Sequence, residues 1–277
     1  MARQENTPVA LTIAGSDCSG GAGMQADLKT FTAFGVYGLT AVTGVVSEVP
    51  GKVSRIEAVG PSFLRDQLEL LFEAFPVAAV KTGLLCSAPL VTATCDFLES
   101  LGDRLPPVVV DPVMVATSGD PLLATDAISA YQERLFQLAS LITPNLSEAG
   151  YLLQQEVTSL DAMKIASREL HKRHGTDVLL KGGHLTGEVA TDLLVHHQGE
   201  EEFSAPFTRG VNTHGTGCTY SAAIAAGLAC GHDLISSIEH AKAFVSATIA
   251  HYHRWSAGER AIDALNHAVD PSSIHPS

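Results

Sequence analysis

The sequence predicts an α/β protein of three layers, in which helices cover both faces of a central, mainly parallel sheet. Short apolar runs alternate with helix-like segments along most of the 277 residues. Several of these runs are apolar at every position, as in Val108–Val110, and this is typical of strands that are buried on both faces. With 45% hydrophobic residues, the chain can fill the core that such a sheet requires.

The first half of the chain alternates predicted strands with predicted helices. Val9–Ala14 is apolar except at Thr12 and precedes a glycine-rich loop, which indicates a strand that ends in a turn. Pro61 stands where a helix would begin, a position that proline favours. The further predicted elements in this half are helix Met24–Phe34, strand Leu39–Val46, helix Ser62–Phe75, strand Val77–Lys81, helix Pro89–Leu101 and strand Val108–Val110.

The second half begins with the apolar stretch Leu135–Ile142, which leads into Thr143-Pro144-Asn145. A long helical pattern then precedes a short apolar run, and two further runs have the spacing of a hairpin. The last third is mostly helical in pattern. These elements are helix Leu160–His174, strand Asp177–Lys181, hairpin strands Ala190–His196 and Glu202–Ala205, and helices Thr216–Gly231 and Ile235–Arg254.

Composition limits the classes of partner. No linker-like or low-complexity stretch interrupts the chain, so we predict a single domain over residues 1–277, with a loosely held tail after about residue 270. The net charge is −13 without a basic stripe, which argues against a nucleic-acid partner. Five scattered cysteines without CxxC spacing indicate free thiols. Because no signal-like or membrane-length apolar segment is present, we expect a cytoplasmic protein without a membrane partner.

A glycine turn before the predicted helix at residue 216 is the strongest functional signal. Gly215 and Gly217 flank Thr216, and the N-terminus of a helix offers unpaired N–H donors and a partial positive charge to an anion. Cys218 stands at the same point, where a helix N-terminus can favour the thiolate. The turn therefore suggests phosphoryl transfer. Taken alone, it also fits a loop before a packed helix, with Cys218 as a small buried side chain.

Polar residues follow three other apolar runs, where parallel strands place their ligands. Asp111 and Glu148 could share a hydrated Mg²⁺, which prefers oxygen ligands. Lys181, beside two glycines, could reach a phosphate as a point charge. Asn145 is equally well explained as a helix N-cap, and Glu148 as a first-turn carboxylate. Neither a P-loop nor a protein-kinase motif is present.

The glycine-rich loop after the first strand allows two interpretations. Gly21–Ala26 formally fits a dinucleotide fingerprint, but Gly21 lies six positions after Gly15, so the first glycine of the fingerprint is not at the strand end. We therefore discount a nicotinamide site. Either the loop walls a small polar ligand whose hydrogen bonds Asp27 accepts, or it is a flexible loop and Asp27 is a solvated helix residue.

Taken together, these residues resemble the ribokinase-like superfamily, and within it the bacterial hydroxymethylpyrimidine/phosphomethylpyrimidine kinases of thiamine biosynthesis. The similarity runs in family order across roughly residues 9–255. The matching stretches begin at Leu11, Ser19, Gly35, Lys81, Val110, Leu141, Leu180 and Asn212.

The resemblance implies a homodimeric, ATP- and Mg²⁺-dependent kinase that phosphorylates 4-amino-5-hydroxymethyl-2-methylpyrimidine and its monophosphate. It assigns the anion hole to Gly215, Thr216 and Gly217, and makes Cys218 the base. The residues that it implies for the pyrimidine pocket are Gly15, Ala22, Asp27, Glu48, Leu84, Val113 and Cys218. Those implied for ATP are Lys181, Asn145, Thr216 and Gly217, and those for Mg²⁺ are Glu148 and Asp111.

This sequence departs from the family pattern at position 48, where the family usually has glutamine and this chain has Glu48. An ionised glutamate only accepts hydrogen bonds. It could accept from the exocyclic amino group of the pyrimidine and favour a protonated ring nitrogen, or it could mark a changed substrate preference. The family lysine is replaced by Thr117, to which we assign no role. Residues 118–120 are where we expect a loop that closes over the substrate.

Two alternatives remain at this point. The first is a pyridoxal kinase of the same branch, in which the stretch after Val113-Met114 often carries another cysteine that residues 115–119 lack here. The second is a catalytically silent relative that binds a vitamin precursor. The intact Gly215–Cys218 turn, with Lys181 and Glu148, argues against the second.

Overall fold

A computed structural model describes residues 7–114, 123–183, 185, 188–211, 214–257 and 260–271 of the chain. Thr117 and the expected lid at residues 118–120 lie outside the described residues, as does most of the tail after residue 270. Among the helices of the described ranges, none has the combination of length and apolar character needed to cross a membrane.

A sheet of nine strands forms the centre of the molecule, in the order β3-β2-β1-β4-β5-β6-β7-β8-β9. Strands β2, β1, β4, β5, β6 and β7 pair in parallel, whereas β3, β8 and β9 are antiparallel additions at the two edges. The strands are β1 Val9–Asp17, β2 Tyr37–Val49, β3 Lys52–Ala58, β4 Ala79–Thr82, β5 Val108–Val110, β6 Leu141–Ile142, β7 Asp177–Leu180, β8 Val189–His196 and β9 Gly199–Pro206. A separate pair is formed by β10 His253–Ala257 and β11 Arg260–Ala264.

Helices connect these strands and lie on both faces of the sheet. They are α1 Gly23–Ala33, α2 Pro61–Ala74, α3 Ala88–Ser100, α4 Thr125–Ala130, α5 Phe136–Leu138, α6 Leu146–Leu153, α7 Leu160–His174, α8 Thr216–Ala229 and α9 Leu234–Ala250. Pro61 occupies the start of α2, as predicted. A 3-10 turn at Gly102–Arg104 and a π turn at Tyr131–Leu135 complete the connections.

Alternate residues of the strands supply two cores, one on each face. On one face, Ala10 of β1 and Val109 of β5 pack with α8 and with Phe244 of α9. On the other, Leu11 and Val110 belong to the cluster that includes side chains of α2, α3 and α7. Both faces of the sheet are therefore covered, and the predicted three-layer α/β/α architecture is confirmed.

The structure differs from the predicted elements at several places, including α4 and β11, which were not predicted. Strand β3 was missed; it turns back from β2 at Gly51 and pairs antiparallel with it at a sheet edge, where its mostly exposed residues give no strong apolar pattern. Helix α6 was likewise not predicted as an element. The last helix was predicted to run to Arg254 but ends at Ala250, because the residues that follow pair with β11 instead.

Candidate active site

A cavity of about 430 Å³ opens at the carboxyl ends of the parallel strands. It brings together side chains and backbone from β1 to α8, which lie far apart along the chain. The predicted site residues that line it are Gly15, Ala22, Glu48, Leu84, Asp111, Val113, Asn145, Glu148, Lys181, Gly215, Thr216, Gly217 and Cys218. A larger groove of about 990 Å³ lies beside α1 and β11, but Lys181, Asp111 and Glu148 do not line it, so we place the chemistry in the smaller cavity.

The glycine turn before α8 forms one wall of this cavity. Gly215 has φ +82°, and a Cβ there would lie 1.8 Å from the carbonyl oxygen of Gly21, so only glycine fits. The helix starts at Thr216, and no side chain of the described part of the chain caps it. A helix start of this kind can bind an anion through its first-turn amides, and for this turn that role stays a prediction.

Lys181 lies directly beside this turn. A Cβ on Gly217 would lie 3.1 Å from the Lys181 Nζ, and the same ammonium donates to Asp111 Oδ1 at 2.9 Å. Burial alone lowers the pKa of Lys181, but the charges of Asp111 and Glu148 raise it above its ordinary value. The lysine is therefore a fixed positive charge next to the helix start, which suits a phosphate.

Asn145 and Glu148 form a capping box at the start of α6. Glu148 N–H donates to Asn145 Oδ1 at 2.9 Å, and Asn145 N–H donates to Glu148 Oε2 at 2.8 Å. Both side chains also line the cavity, so the capping role and the predicted site position coexist. Burial, supported by the charge of Asp111 and opposed by Lys181, raises the pKa of Glu148 to about 7.

The carboxylates of Asp111 and Glu148 fit a divalent cation in composition. Both offer hard oxygen atoms, and Asp111 also accepts from Thr143 Oγ1 at 3.2 Å. Their mutual repulsion, which contributes to the raised pKa of Glu148, would be relieved by a positive ion.

Cys218 does not have the thiolate character expected from its place at a helix start. Burial is the largest influence on this thiol, and it raises the pKa to about 12. The charges of Asp111 and Asp27 act in the same direction, whereas Lys81 and a backbone hydrogen bond from Gly23 oppose them. The prediction of a lowered pKa was wrong because burial beside two carboxylates outweighs the helix dipole.

Asp27 is the one predicted pocket residue that does not line the cavity. Its carboxylate is fully buried and accepts from Lys81 Nζ at 2.9 and 3.0 Å and from Thr12 Oγ1 at 2.6 Å. The alternative of a solvated helix residue is therefore wrong as well. Lys81 does line the cavity, so Asp27 lies behind it and fixes its ammonium. Although burial lowers the pKa of Lys81, Asp27 raises it above its usual value.

Glu48, on β2, faces the cavity and belongs to a charged group near its mouth. Burial raises the pKa of its carboxyl, and the charge of Asp17 raises it further, against the opposing effect of His214. Glu48, Asp17 and His214 each place one potential metal-ligand atom within 4.8 Å of those of the other two. The composition would suit a metal, but Asp17 Oδ2 already accepts from three donors within 3.0 Å.

Sequence reasoning missed several residues of the cavity. Asp192 on β8 accepts from Gly182 N–H at 2.9 Å and from Lys242 Nζ at 2.6 Å, so it connects the segment after Lys181 to α9. Lys81 and His214 lie within stretches that match the family, and this match could have identified them as site residues. Asp192 lies in an apolar hairpin strand and Lys242 in a helix, where no motif identifies them.

Three comparisons with known proteins agree with this geometry. The phosphomethylpyrimidine kinase family profile matches residues 17–263. A hydroxymethylpyrimidine/phosphomethylpyrimidine kinase of Rhizobium meliloti is 42% identical, covering 90% of this chain and 98% of the relative. The enzyme of the same name from Escherichia coli is 38% identical, over 89% and 98% of the two chains.

Two solved structures extend the likeness to the fold. A phosphomethylpyrimidine kinase of Clostridium difficile has a TM-score of 0.75 at 36% identity, covering 87% of this chain and 98% of that one. The ADP complex of Bacillus subtilis pyridoxal kinase has a TM-score of 0.85 at 34% identity, covering 95% and 98%. The fold is therefore the ribokinase-like fold that the resemblance implied.

Proposed function

Because the chain belongs to the phosphomethylpyrimidine kinase family, we propose that the cavity transfers a phosphoryl group from ATP to a hydroxymethylpyrimidine. The activity is that of a hydroxymethylpyrimidine and phosphomethylpyrimidine kinase of thiamine biosynthesis. The acceptors are 4-amino-5-hydroxymethyl-2-methylpyrimidine and its monophosphate, and the product is the pyrimidine diphosphate.

One observation carries the assignment of the phosphate site: the Lys181 ammonium lies beside the backbone turn that opens α8. Phosphoryl transfer requires mainly alignment and stabilisation of the charge that develops on the transferring group. Amide groups of Gly215, Thr216 and Gly217 would meet that charge without reorganisation, and Lys181 would add a full positive charge. Asn145 and Lys181 are the proposed contacts to the ATP phosphates.

The acceptor pocket is proposed at the β1 and β2 side of the cavity. Gly15, Ala22, Leu84 and Val113 supply small and apolar surfaces for a flat ring. Glu48 supplies an acceptor at the edge of that surface, which suits an exocyclic amino group. A Cβ on Gly15 would lie 3.4 Å from a methyl group of Leu84. A larger residue at position 15 would therefore narrow the pocket.

Glu148 and Asp111 are the proposed ligands of Mg²⁺, which, when bound, would neutralise charge on the phosphates. The hydroxymethyl oxygen attacks the terminal phosphorus, the bond to the leaving ADP oxygen breaks, and the hydroxyl proton must leave. Cys218 is the proposed acceptor of that proton. With a pKa of about 12 its thiol is protonated at neutral pH. This role therefore requires that Cys218 first releases its own proton to solvent, which the charge of Lys81 favours.

The test is a coupled assay of ADP formation with ATP and Mg²⁺, in which the two pyrimidines and pyridoxal are offered side by side. Turnover on the pyrimidines with little on pyridoxal is the expected result. A preference for pyridoxal would favour the alternative that the likeness to pyridoxal kinases supports. Absence of turnover on all three acceptors would contradict the kinase assignment.

We further propose that the chain is a single kinase domain that acts as a cytoplasmic homodimer. The continuous sheet across the described residues supports a single domain. The family resemblance supports a cytoplasmic homodimer. Light scattering of the purified chain tests the dimer, which a monomeric mass would contradict.

A further inference from the structure

Asp17, at the end of β1, is the centre of a compact hydrogen-bond cluster. Its Oδ1 accepts from Ser19 N–H at 2.7 Å. Its Oδ2 accepts from the Ser19 hydroxyl at 2.9 Å, from Gly21 N–H at 3.0 Å and from Ala22 N–H at 2.8 Å. The residue is only 1% exposed. One carboxylate therefore fixes the path of the glycine loop that leads to Ala22, a residue of the proposed pyrimidine pocket.

The same carboxylate also contacts the glycine turn before α8, residues 214–218, which is the proposed phosphate site and is called the phosphate turn below. His214 Nε2 lies 3.4 Å from Asp17 Oδ2, and because a carboxylate only accepts, the imidazole donates. His214 immediately precedes Gly215. Burial would raise the pKa of Asp17, but the bonds from His214, Ser19 and Ala22 hold it well below its usual range, so the carboxylate stays charged.

The loop and the turn also touch directly. The site of a Cβ on Gly215 lies 1.8 Å from the Gly21 carbonyl oxygen, and that of a Cβ on Gly21 lies 3.0 Å from His214 Cδ2. The two backbones are therefore in direct contact at this point. Asp17 is not among the residues that line the cavity, and its hydrogen bonds go to the loop and to His214.

We infer that Asp17 is a positioning residue, which holds the loop of the acceptor pocket in register with the phosphate turn through Gly21, Ala22 and His214. This inference rests on the proposed function for its kinetic meaning, but not for its geometry. Alignment of acceptor and phosphoryl group to within a fraction of an ångström governs the rate, and a misplacement of about 1 Å can cost about 100-fold.

The first test is Asp17→Asn. This variant keeps the shape of the side chain but has one oxygen that can accept hydrogen bonds instead of two. Hydrogen exchange by mass spectrometry is followed in peptides that cover residues 17–24 and 214–219. We expect faster exchange in both peptides. The matched control is Asp263→Asn, since Asp263 is also buried and holds Arg254 at 2.6 and 2.8 Å, outside the cavity. Unchanged exchange at 214–219 in Asp17→Asn would overturn the inference.

The second test is kinetic and is expressed per ADP-binding site, counted by calorimetric titration, so that partial unfolding does not count as lost activity. For Asp17→Asn we expect kcat with the pyrimidine to fall roughly 10- to 100-fold, with an ADP affinity close to that of the unaltered chain. Asp263→Asn should keep its kcat per site. An unaltered kcat per site in Asp17→Asn would contradict the positioning role.

A pair of variants at His214 separates the hydrogen bond from packing. The Gln of His214→Gln can place an amide N–H near the Nε2 position, whereas the Leu of His214→Leu fills the space without a donor. We expect His214→Gln to keep most of the kcat per site and His214→Leu to lose it. Equal losses would overturn the inference. If the unaltered chain turns over neither pyrimidine but exchange responds as expected, the proposed function fails while the connection between loop and turn stands.

Discussion

Lys81 and Asp27 form a fully buried ion pair beneath the cavity, with Lys81 Nζ 2.9 Å from Asp27 Oδ2. Removal of one partner leaves the other charge buried without compensation. We expect Asp27→Ala to lower the free energy of unfolding by about 3–5 kcal/mol. Denaturant unfolding followed by circular dichroism measures this. Glu69→Ala, which removes the exposed partner of Arg65, is the control and should change little. Equal effects of the two variants would refute the importance of the buried pair.

The positive charge of Lys181, beside the glycine turn before α8, should be needed for turnover. We expect Lys181→Met to reduce kcat on the order of 100- to 1,000-fold, because it removes a fixed charge from the developing phosphoryl group. Steady-state kinetics with ATP and the pyrimidine measure this. Lys164→Met removes a lysine that pairs with Glu202 on the surface and should retain the kcat. A kcat above half of the original in Lys181→Met would exclude the proposed role.

Glu48 should make pyrimidine binding dependent on pH. Its pKa is raised, so its carboxylate gains a proton at a higher pH than an ordinary glutamate. As the pH falls through that raised pKa, the acceptor for the amino group is lost, and the KM for the pyrimidine should rise. Glu48→Gln should remove this dependence. If KM and its pH profile are the same in Glu48→Gln, Glu48 does not contact the ring.

Cys218 should reveal its role through both substitution and pH. Cys218→Ala should cut turnover by about 100-fold or more, as the loss of a proton acceptor does, with little change in ATP affinity. Since the pKa of Cys218 is about 12, the thiolate fraction increases about tenfold for each pH unit below that value. The kcat should therefore rise with pH between 7 and 9, and flatten in Cys218→Ala. Full activity in the variant would sink the assignment of Cys218 as base.

The turn itself should tolerate no side chain. We expect Gly215→Ala to abolish turnover, since its Cβ would overlap the Gly21 carbonyl. Gly175→Ala is the matched control, because Gly175 also has positive φ, at +67°, but a Cβ there meets no described atom within 4 Å. That variant should lose only about 1–2 kcal/mol of stability and keep its kcat. Comparable activity in the two variants would show that the close approach is dispensable.

The fold was largely predictable because buried parallel strands have a plain apolar pattern. Edge strand β3 could not be predicted in this way, because its residues are mostly exposed and it is held mainly by pairing with β2. For the candidate site, polar residues that follow predicted strands were expected to lie close together at one edge of the sheet. Lys181, after β7, does lie beside Gly217. The roles of these residues stay predictions.

The charge states were harder to foresee than the positions. Cys218 at a helix start suggested a thiolate, but its burial beside Asp111 depends on tertiary packing, which no local pattern expresses. The pairing of Asp27 with Lys81 spans 54 residues and was missed for the same reason. The contact between Asp17 and His214 spans 197 residues, with only a resemblance to mark the two stretches.

That last separation bears on how the protein is made. When the strands up to β7 have emerged from the ribosome, Asp111 and Glu148 have already been made. The glycine turn that would complete the proposed anion site is still to come. Until residues 214–218 have emerged, the nascent chain lacks the partner that meets the loop after β1. The chain should therefore acquire nucleotide affinity late in synthesis and in one step, so arrested fragments that end before α8 should bind no ADP.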